Sequence, residues 1–243
     1  MVAQVDASFL RLSKFRAITR FIGYLFYEGR PLTTRGRWFN IFVRLNYRLN
    51  CLVFRGRQPD GMVFVLGTGR SGTTILGVSL GIHPDVGFLN EPKAAWAYCY
   101  QHEDLIGSYN LNSASYLLDS DDCTVPGASA LNAIYYGYSK VSKSRIILDK
   151  YPELIFRYEF LKANFPMSKS IFLCRNGYDT IASIDGWSKR LGLIDGEDIH
   201  DWWGLNDRKW ILLCDDLVRT HDSLSIHYEK IRNYTDHKCR AAV

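Results

Sequence analysis

The sequence has few features of a membrane-spanning, disulfide-rich or zinc-binding protein. No run approaches the roughly 18 apolar residues that a transmembrane helix needs, and the apolar stretch at 21–27 is short and flanked by Arg20 and Arg30. We therefore predict neither a membrane span nor a cleavable signal peptide. The six cysteines are scattered without a Cys-x-x-Cys pair, which argues against a zinc site and a disulfide framework. Free thiols in a reducing, cytoplasmic compartment are the simplest interpretation.

The sequence also lacks internal repeats and low-complexity segments. Its 243 residues, 47% hydrophobic and 23% charged, are typical of one globular domain of ordinary composition. The net charge of +5 is uneven, because residues 1–60 hold eleven Lys/Arg against three Asp/Glu and the remainder is slightly acidic. A basic segment of this kind indicates either a solvated helix face or an anionic partner.

Two basic segments near the N-terminus have the apolar spacing of amphipathic helices. Residues 5–27 and 38–54 interleave apolar side chains with Arg and Lys. Their apolar positions are explained by packing into the core or by peripheral contact with a membrane surface. We predict a helical N-terminal arm over residues 1–58 and an α/β domain over residues 59–243, helical in its last part.

The order of apolar runs after residue 58 predicts an α/β fold with a central, mostly parallel sheet. Residues 62–66 form a short β-branched run, and a glycine loop separates it from a predicted helix at 73–81. Predicted strands at 145–148 and 170–174 are each followed by a helix, at 152–164 and about 179–190. The ends of these strands should lie along one edge of the sheet.

The glycine loop has the residues that a phosphate cradle needs. Glycines let the backbone approach an anion, and N–H groups at a helix start point toward it. Arg70 adds a planar cation and the two threonines add hydroxyl donors. The predicted anion ligands are Gly69, Arg70, Ser71, Gly72, Thr73 and Thr74.

This loop differs from that of nucleoside triphosphatases. Their motif has Lys after the second glycine, where this chain has Thr73. We also find no strand that ends in a magnesium-binding aspartate, since the candidate strand at 171–174 is followed by Arg175. A P-loop kinase or NTPase remains the alternative enzyme.

A second candidate anion site comes after the strand at 170–174. Arg175 follows the strand, and Ser183 lies eight residues further on, in the next helix, so the guanidinium and the hydroxyl can converge on one anion. The alternative is that Arg175 pairs with Asp179 and Ser183 only packs.

Four motifs, in order, resemble the sulfotransferase superfamily. They are VFVLGTGRSGTT at 63–74, HPDVGFLNEP at 83–92, ILDKYPELIF at 147–156 and IFLCRNGYDTIAS at 171–183. The RSGTT wording is most similar to that of tyrosylprotein, heparan-type and bacterial members. The resemblance implies a three-layer, P-loop-like fold. It also implies transfer of a sulfuryl group from 3′-phosphoadenosine 5′-phosphosulfate (PAPS) to a hydroxyl or amine, with no metal ion required.

The resemblance also implies roles for individual residues. In the family the glycine loop holds the 5′-phosphosulfate, and an Arg and a Ser at the spacing of Arg175 and Ser183 hold the 3′-phosphate. Glu91 corresponds to a general base. Lys150, with Arg70, corresponds to the groups that stabilise the leaving oxygen.

Each catalytic assignment leaves an alternative open. Glu91 is otherwise a loop residue or cap before Pro92, with His83 as the substitute base, and Lys150 otherwise pairs with Asp149 or Glu153. Lys93 is a weaker candidate near the same edge.

The last part of the chain departs from the family pattern. No basic, glycine-containing loop follows Trp210, although relatives usually carry one there. We therefore expect an incomplete domain or a differently built adenosine pocket, and a non-catalytic nucleotide-binding or anion-binding module stays an alternative. The acceptor stays open among carbohydrates, lipids, peptides and small molecules, and we predict no nucleic-acid partner.

Overall fold

A computed structural model of the chain describes residues 9, 14–30, 39–103 and 114–243. Strands alternate with helices in the middle of the chain, and short helices follow. The α-helices are α1 Lys14–Ile22, α2 Phe39–Val53, α3 Thr73–Gly81, α4 Lys93–Cys99, α5 Val125–Ser142, α6 Tyr158–Asn164, α7 Gly177–Leu191, α8 Arg208–Leu213, α9 Tyr228–Arg232 and α10 His237–Ala242. The strands are β1 Gly61–Leu66, β2 Val86–Asn90, β3 Ile146–Lys150, β4 Lys169–Phe172, β5 Leu193–Asp195, β6 Asp198–Asp201 and β7 Gly204–Leu205.

The central sheet has four parallel strands in the order β2-β3-β1-β4. Lys150, the last residue of β3, is in register with Asn90 on one side and with Val65 on the other. The next residue of β1, Leu66, is in register with Phe172 of β4. The predicted parallel α/β fold is confirmed, and the carboxyl ends of all four strands lie along one edge.

Helices cover both faces of the sheet because its strands are apolar on both sides. Phe64 and Leu66 of β1 pack with side chains of α2, α4, α5 and α6. Val65, which points the other way along the pleat, packs with Phe88, Leu148 and side chains of α3. The result is the expected arrangement of three layers.

Helix boundaries near the site agree with the sequence, except in one segment. The helix predicted at 73–81 has those bounds, and α7 starts where the Asn176 side chain accepts hydrogen bonds from the N–H groups of Tyr178 and Asp179. The helix predicted at 152–164 is instead a 3₁₀ helix, Pro152–Arg157, followed by α6. The break lies at Arg157 (φ −135°, ψ 38°), whose buried guanidinium binds Glu103 and the carbonyl of Tyr116.

The N-terminal helices pack into the same core as the sheet. Tyr27, Val43 and Tyr47 are buried in it. Buried Glu28 forms an ion pair of 2.6 Å with Arg20 and accepts a hydrogen bond of 2.8 Å from the backbone N–H of Asn90. This segment therefore fixes the end of β2.

The C-terminal part is a small antiparallel sheet, β5-β6-β7, with helices around a second apolar cluster. The prediction of helices alone after Asp201 is wrong, since β7 lies at Gly204–Leu205. Two hydrogen bonds of Asn206 hold β7 against β6. The backbone N–H of Asn206 donates to the carbonyl of Ile199, and its side-chain oxygen accepts from the N–H of Ile199, both at 2.8 Å. A strand held by such side-chain hydrogen bonds does not need alternating apolar residues, so the apolar pattern of the sequence does not predict it.

Candidate active site

The glycine loop between β1 and α3 forms an open cradle. Arg70 (φ 70°) and Gly72 (φ 99°) both adopt left-handed backbone conformations, and Gly72 caps α3 without a side-chain hydrogen bond. The Ser71 hydroxyl is buried and has no hydrogen-bond partner among the described residues. A buried hydroxyl without a partner is costly unless a ligand satisfies it. The loop thus offers an unsatisfied donor and a helix start to an anion.

A tryptophan from the small sheet closes over this loop. A Cβ atom on Gly69 would lie 2.5 Å from the ring of Trp202, so a side chain at position 69 would force the ring away. The Trp202 ring packs edge-on against Trp187 at 5.5 Å between centroids, and the ammonium of Lys209 lies 4.7 Å from its centre.

The structure brings Arg70, Arg175 and Ser183 together. The guanidinium of Arg175 donates to the backbone carbonyl of Arg70 at 2.9 Å, and Nε of Arg70 donates to Oγ of Ser183 at 3.1 Å. Both arginines are exposed. In this arrangement two guanidinium groups border the cradle, where a ligand with more than one anionic group can reach both.

Glu91 and Lys150 form an ion pair at the carboxyl ends of β2 and β3. Glu91 has a left-handed backbone (φ 53°), and its N–H donates to the carbonyl of Lys150 at 2.7 Å. Glu91 is thus the second non-glycine residue of the cavity lining, after Arg70, that has a strained backbone conformation. The side chain of Lys150 is 2% exposed and that of Glu91 is 27% exposed, so the carboxylate is the more accessible of the two partners, and both line the cavity.

The charges around Glu91 keep it ionised. Burial alone would raise the pKa of Glu91, but the charges of Lys150, Arg30 and Lys93 outweigh it and hold the pKa below its ordinary value. Arg30 lies 3.7 Å from the carboxylate and donates to the carbonyl of Asn90 at 2.6 Å.

A second carboxylate, Glu153, lies between two lysines on the same wall. Lys93 is 2.6 Å away and Lys209 is 3.7 Å away. Burial would raise the pKa of Glu153, but the two lysines overcome it and lower the pKa. Glu153 is therefore paired with Lys93 and Lys209 and not with Lys150. Asp149, the other alternative partner considered for Lys150, points to the opposite side of β3.

Asp149 is not available to a ligand in the cavity. Its carboxylate is buried in the helix-covered core, where it accepts hydrogen bonds from the Tyr135 hydroxyl at 2.5 Å and from the indole N–H of Trp96 at 3.3 Å. Burial raises the pKa of Asp149 to about 7. Among the described residues, no cluster of His, Cys, Asp and Glu could hold a metal ion.

One cavity of about 810 Å³ lies at the carboxyl edge of the sheet and is lined by the glycine loop, Glu91, Lys150, Glu153 and Arg175. Most of the predicted site residues line it: Gly69, Arg70, Gly72, Thr73, Thr74, Glu91, Lys150 and Arg175. Ser71 and Ser183 are not part of this lining: Ser71 is buried in the loop between Arg70 and Gly72, and Ser183 is bonded to Arg70. His83 lies before the amino end of β2, with its ring bonded to the N–H of Asp85, so it is placed at the far edge of the sheet.

The comparison with protein families shows which family the chain belongs to. A model of the sulfotransferase family matches residues 62–237, which is more than half of the sequence. The chain belongs to the sulfotransferase family. Membership supports sulfuryl transfer as the class of reaction. No curated protein and no solved structure shows significant similarity to the chain.

The family match extends about fifty residues beyond the motifs recognised in the sequence, to include β5–β7, α8 and α9. Sequence reasoning gave no role in the cavity to four lining residues: Glu153 after β3, Trp187 of α7, and Trp202 and Lys209 near β7. It also missed Arg30, which approaches Glu91 from the N-terminal segment. The aromatic residues at 202–210 were noticed in the sequence, but no partner could be assigned to their rings. Within the described ranges, no helix has the length and apolar character to cross a bilayer.

Proposed function

We propose that this protein transfers a sulfuryl group from PAPS to a hydroxyl or amine of an acceptor. The observation that carries the proposal is the contact chain from Arg175 through Arg70 to Ser183 beside the glycine loop. It puts two anion-binding elements side by side, and PAPS has a 5′-phosphosulfate and a 3′-phosphate to occupy them. ATP has no 3′-phosphate.

The residues of the cradle fit the 5′-phosphosulfate. The buried Ser71 hydroxyl without a described partner and the uncapped start of α3 supply donors. Thr73 and Thr74 line the cavity at the first turn of that helix. These groups would hold the phosphosulfate, and Arg70 would place a positive charge beside it.

Arg175 and Ser183 would hold the 3′-phosphate. Arg175 is exposed and already directed at the loop, and Ser183 is bonded to Arg70. To bind this group, Arg70 would release the Ser183 hydroxyl. A guanidinium and a hydroxyl are suited to such a ligand, because charge-assisted bonds to phosphate are stronger than neutral ones.

Glu91 would act as the general base. When bound, PAPS supplies a sulfuryl group that moves to the acceptor oxygen as the S–O bond to the 5′-phosphate breaks, and the 3′,5′-bisphosphate is released. Glu91 would take the proton of the acceptor hydroxyl. Its lowered pKa keeps it ionised but makes it a weak base.

Lys150 offers a way to strengthen this base. Its ammonium is bonded to Glu91. Beside a bound donor, the ammonium of Lys150 would interact with the leaving oxygen as well as with Glu91. Its attraction to the Glu91 carboxylate would weaken, and because burial favours the neutral acid, the pKa of Glu91 would rise. Lys150 would then stabilise the developing negative charge with Arg70.

The donor assignment is tested by comparing ligands that differ in the 3′-phosphate. We expect 3′,5′-adenosine bisphosphate to raise the thermal midpoint more than ADP or ATP at the same concentration, since only it fills both sites. Arg175→Ala should remove this advantage, whereas Arg190→Ala, in the last turn of α7 and outside the cavity lining, should keep it. Equal shifts for all three nucleotides would overturn the assignment of PAPS.

A further inference from the structure

Helix α2 exposes an apolar strip that the core does not use. Ile41 is 73% exposed, Leu52 is 67% exposed and Val53 is 68% exposed. At 3.6 residues per turn, the exposed apolar positions fall on one side of the helix along its whole length. The strip consists of Ile41, Phe42, Leu45, Leu49, Leu52 and Val53.

The other side of α2 is fixed in the interior. Val43 and Tyr47 are fully buried, and the hydroxyl of Tyr47 donates to the carbonyl of Tyr27 at 2.8 Å. Asn50, also buried, bonds back to Asn46. Because this side is anchored, the helix cannot rotate to hide the strip, and the strip stays at the surface.

Exposed arginines lie along one side of the apolar strip. Arg44 and Arg48 are exposed one turn apart, and Arg55 and Arg57 follow the end of the helix. Residues 39–57 contain no Asp or Glu. None of these four arginines forms an ion pair with another described residue.

This combination favours an anionic lipid surface over a second copy of the chain. A helix that lies in the membrane interface presents apolar side chains to the acyl boundary and cations to the phosphates. A second copy would bring the same four arginines without a carboxylate in this segment, so it would supply no complementary charge. Six apolar side chains on one side also exceed the scattered exposure expected of a surface helix.

We propose that α2 docks this protein on anionic membranes, with the apolar strip at the boundary between headgroups and acyl chains and Arg44 and Arg48 on lipid phosphates. The contact is peripheral and independent of the sulfuryl-transfer proposal. It uses side chains that lie outside the lining of the cavity.

Vesicle co-sedimentation tests this docking. The protein should bind vesicles of phosphatidylcholine mixed with phosphatidylglycerol, bind phosphatidylcholine alone much more weakly, and be released by salt. Arg44→Gln with Arg48→Gln should lower the partition coefficient by roughly fivefold per arginine. Leu45→Ser with Leu49→Ser should lower it by at least about tenfold.

Matched controls distinguish docking through α2 from non-specific hydrophobic binding and from misfolding. Met167→Ser with Ile226→Ser removes two apolar side chains elsewhere that are even more exposed than Leu45 and Leu49, and should leave binding unchanged. The thermal midpoint should be unchanged in the arginine and control variants and fall only modestly in the leucine variant, because Leu45 and Leu49 are half exposed and serine has a lower helix propensity. No binding to the anionic vesicles, or binding that the α2 variants do not reduce, would overturn the proposal. So would a dimer in light scattering that the leucine variant dissociates, since that would assign the strip to a second copy.

Discussion

Replacing Glu91 by Gln separates proton transfer from structure at the centre of the site. The amide keeps the shape of the side chain and cannot accept the acceptor's proton at neutral pH. If Glu91 is the general base, kcat should fall by about 10²-fold or more. Affinity for 3′,5′-adenosine bisphosphate should hold or increase, because Lys150 loses its anionic partner and becomes available to the ligand.

The same change has a cost in stability that can be worked from the ion pair. Lys150 is 2% exposed and would remain buried without its nearest counter-charge. Removing one partner of a fully buried pair costs roughly 3–5 kcal/mol. Because Glu91 is 27% exposed and water reaches it, we expect about 1–3 kcal/mol. Urea unfolding measures this loss, and kinetics should be recorded at a temperature where the variant is folded.

Glu153→Gln is the matched control. Glu153 is also a carboxylate between cations in the same cavity, with Lys93 at 2.6 Å and Lys209 at 3.7 Å, but it has no assigned role in proton transfer. It should lose a similar amount of stability and keep most of its kcat. Near-normal turnover of Glu91→Gln, or an equal fall in both variants, would refute the assignment of the base.

Three further predictions concern the second anion site, the loop and the core. Arg175→Ala should weaken binding of the 3′,5′-bisphosphate by roughly ten- to hundredfold, from the loss of a charge-assisted bond, and unchanged affinity in calorimetry would show that the 3′-phosphate site is elsewhere. Gly69→Ala should lower the thermal midpoint, because the new Cβ meets the Trp202 ring, and adding Trp202→Ala should recover part of the loss beyond what the two single changes predict. A strictly additive pair would contradict that contact. Burial raises the pKa of Asp149 to about 7, so the folded state binds a proton more tightly than the unfolded chain does. The contribution of Asp149 to the free energy of unfolding should therefore fall as the pH rises from about 4 to 7. Over this range the slope of the free energy against pH in urea titrations should be more positive for Asp149→Asn than for the wild type, and an unchanged slope would argue against a protonated Asp149.

The parts of the fold with short-range signals were predictable from the sequence. The apolar run before the glycine loop and the helix after it were predicted within one residue, because strand, loop and helix are contiguous and each has its own composition. Glu91 directly follows the end of β2. Parallel topology then brought it next to Lys150, which sequence spacing alone does not reveal.

Other elements had no local signal. Helix α5 was not predicted, since its Tyr-rich stretch is buried on several sides and gives a weak helical period. The contact of Trp202 with Gly69 joins residues 133 positions apart, and the pairing of Lys209 with Glu153 joins residues 56 apart. Both depend on where β5–β7 folds back, which is set by side-chain bonds such as those of Asn206.

The central claim is most directly tested by following the label from ³⁵S-PAPS into acceptors. The wild-type protein, incubated with labelled PAPS and a panel of carbohydrate, lipid, peptide and small-alcohol acceptors, should transfer the label to one class. It should release one 3′,5′-bisphosphate for each sulfate transferred, and Glu91→Gln should abolish the transfer. Tight binding of PAPS with no transfer to any class would instead identify a non-catalytic nucleotide-binding module. Transfer of the γ-phosphate from ATP in the same panel would contradict the account outright.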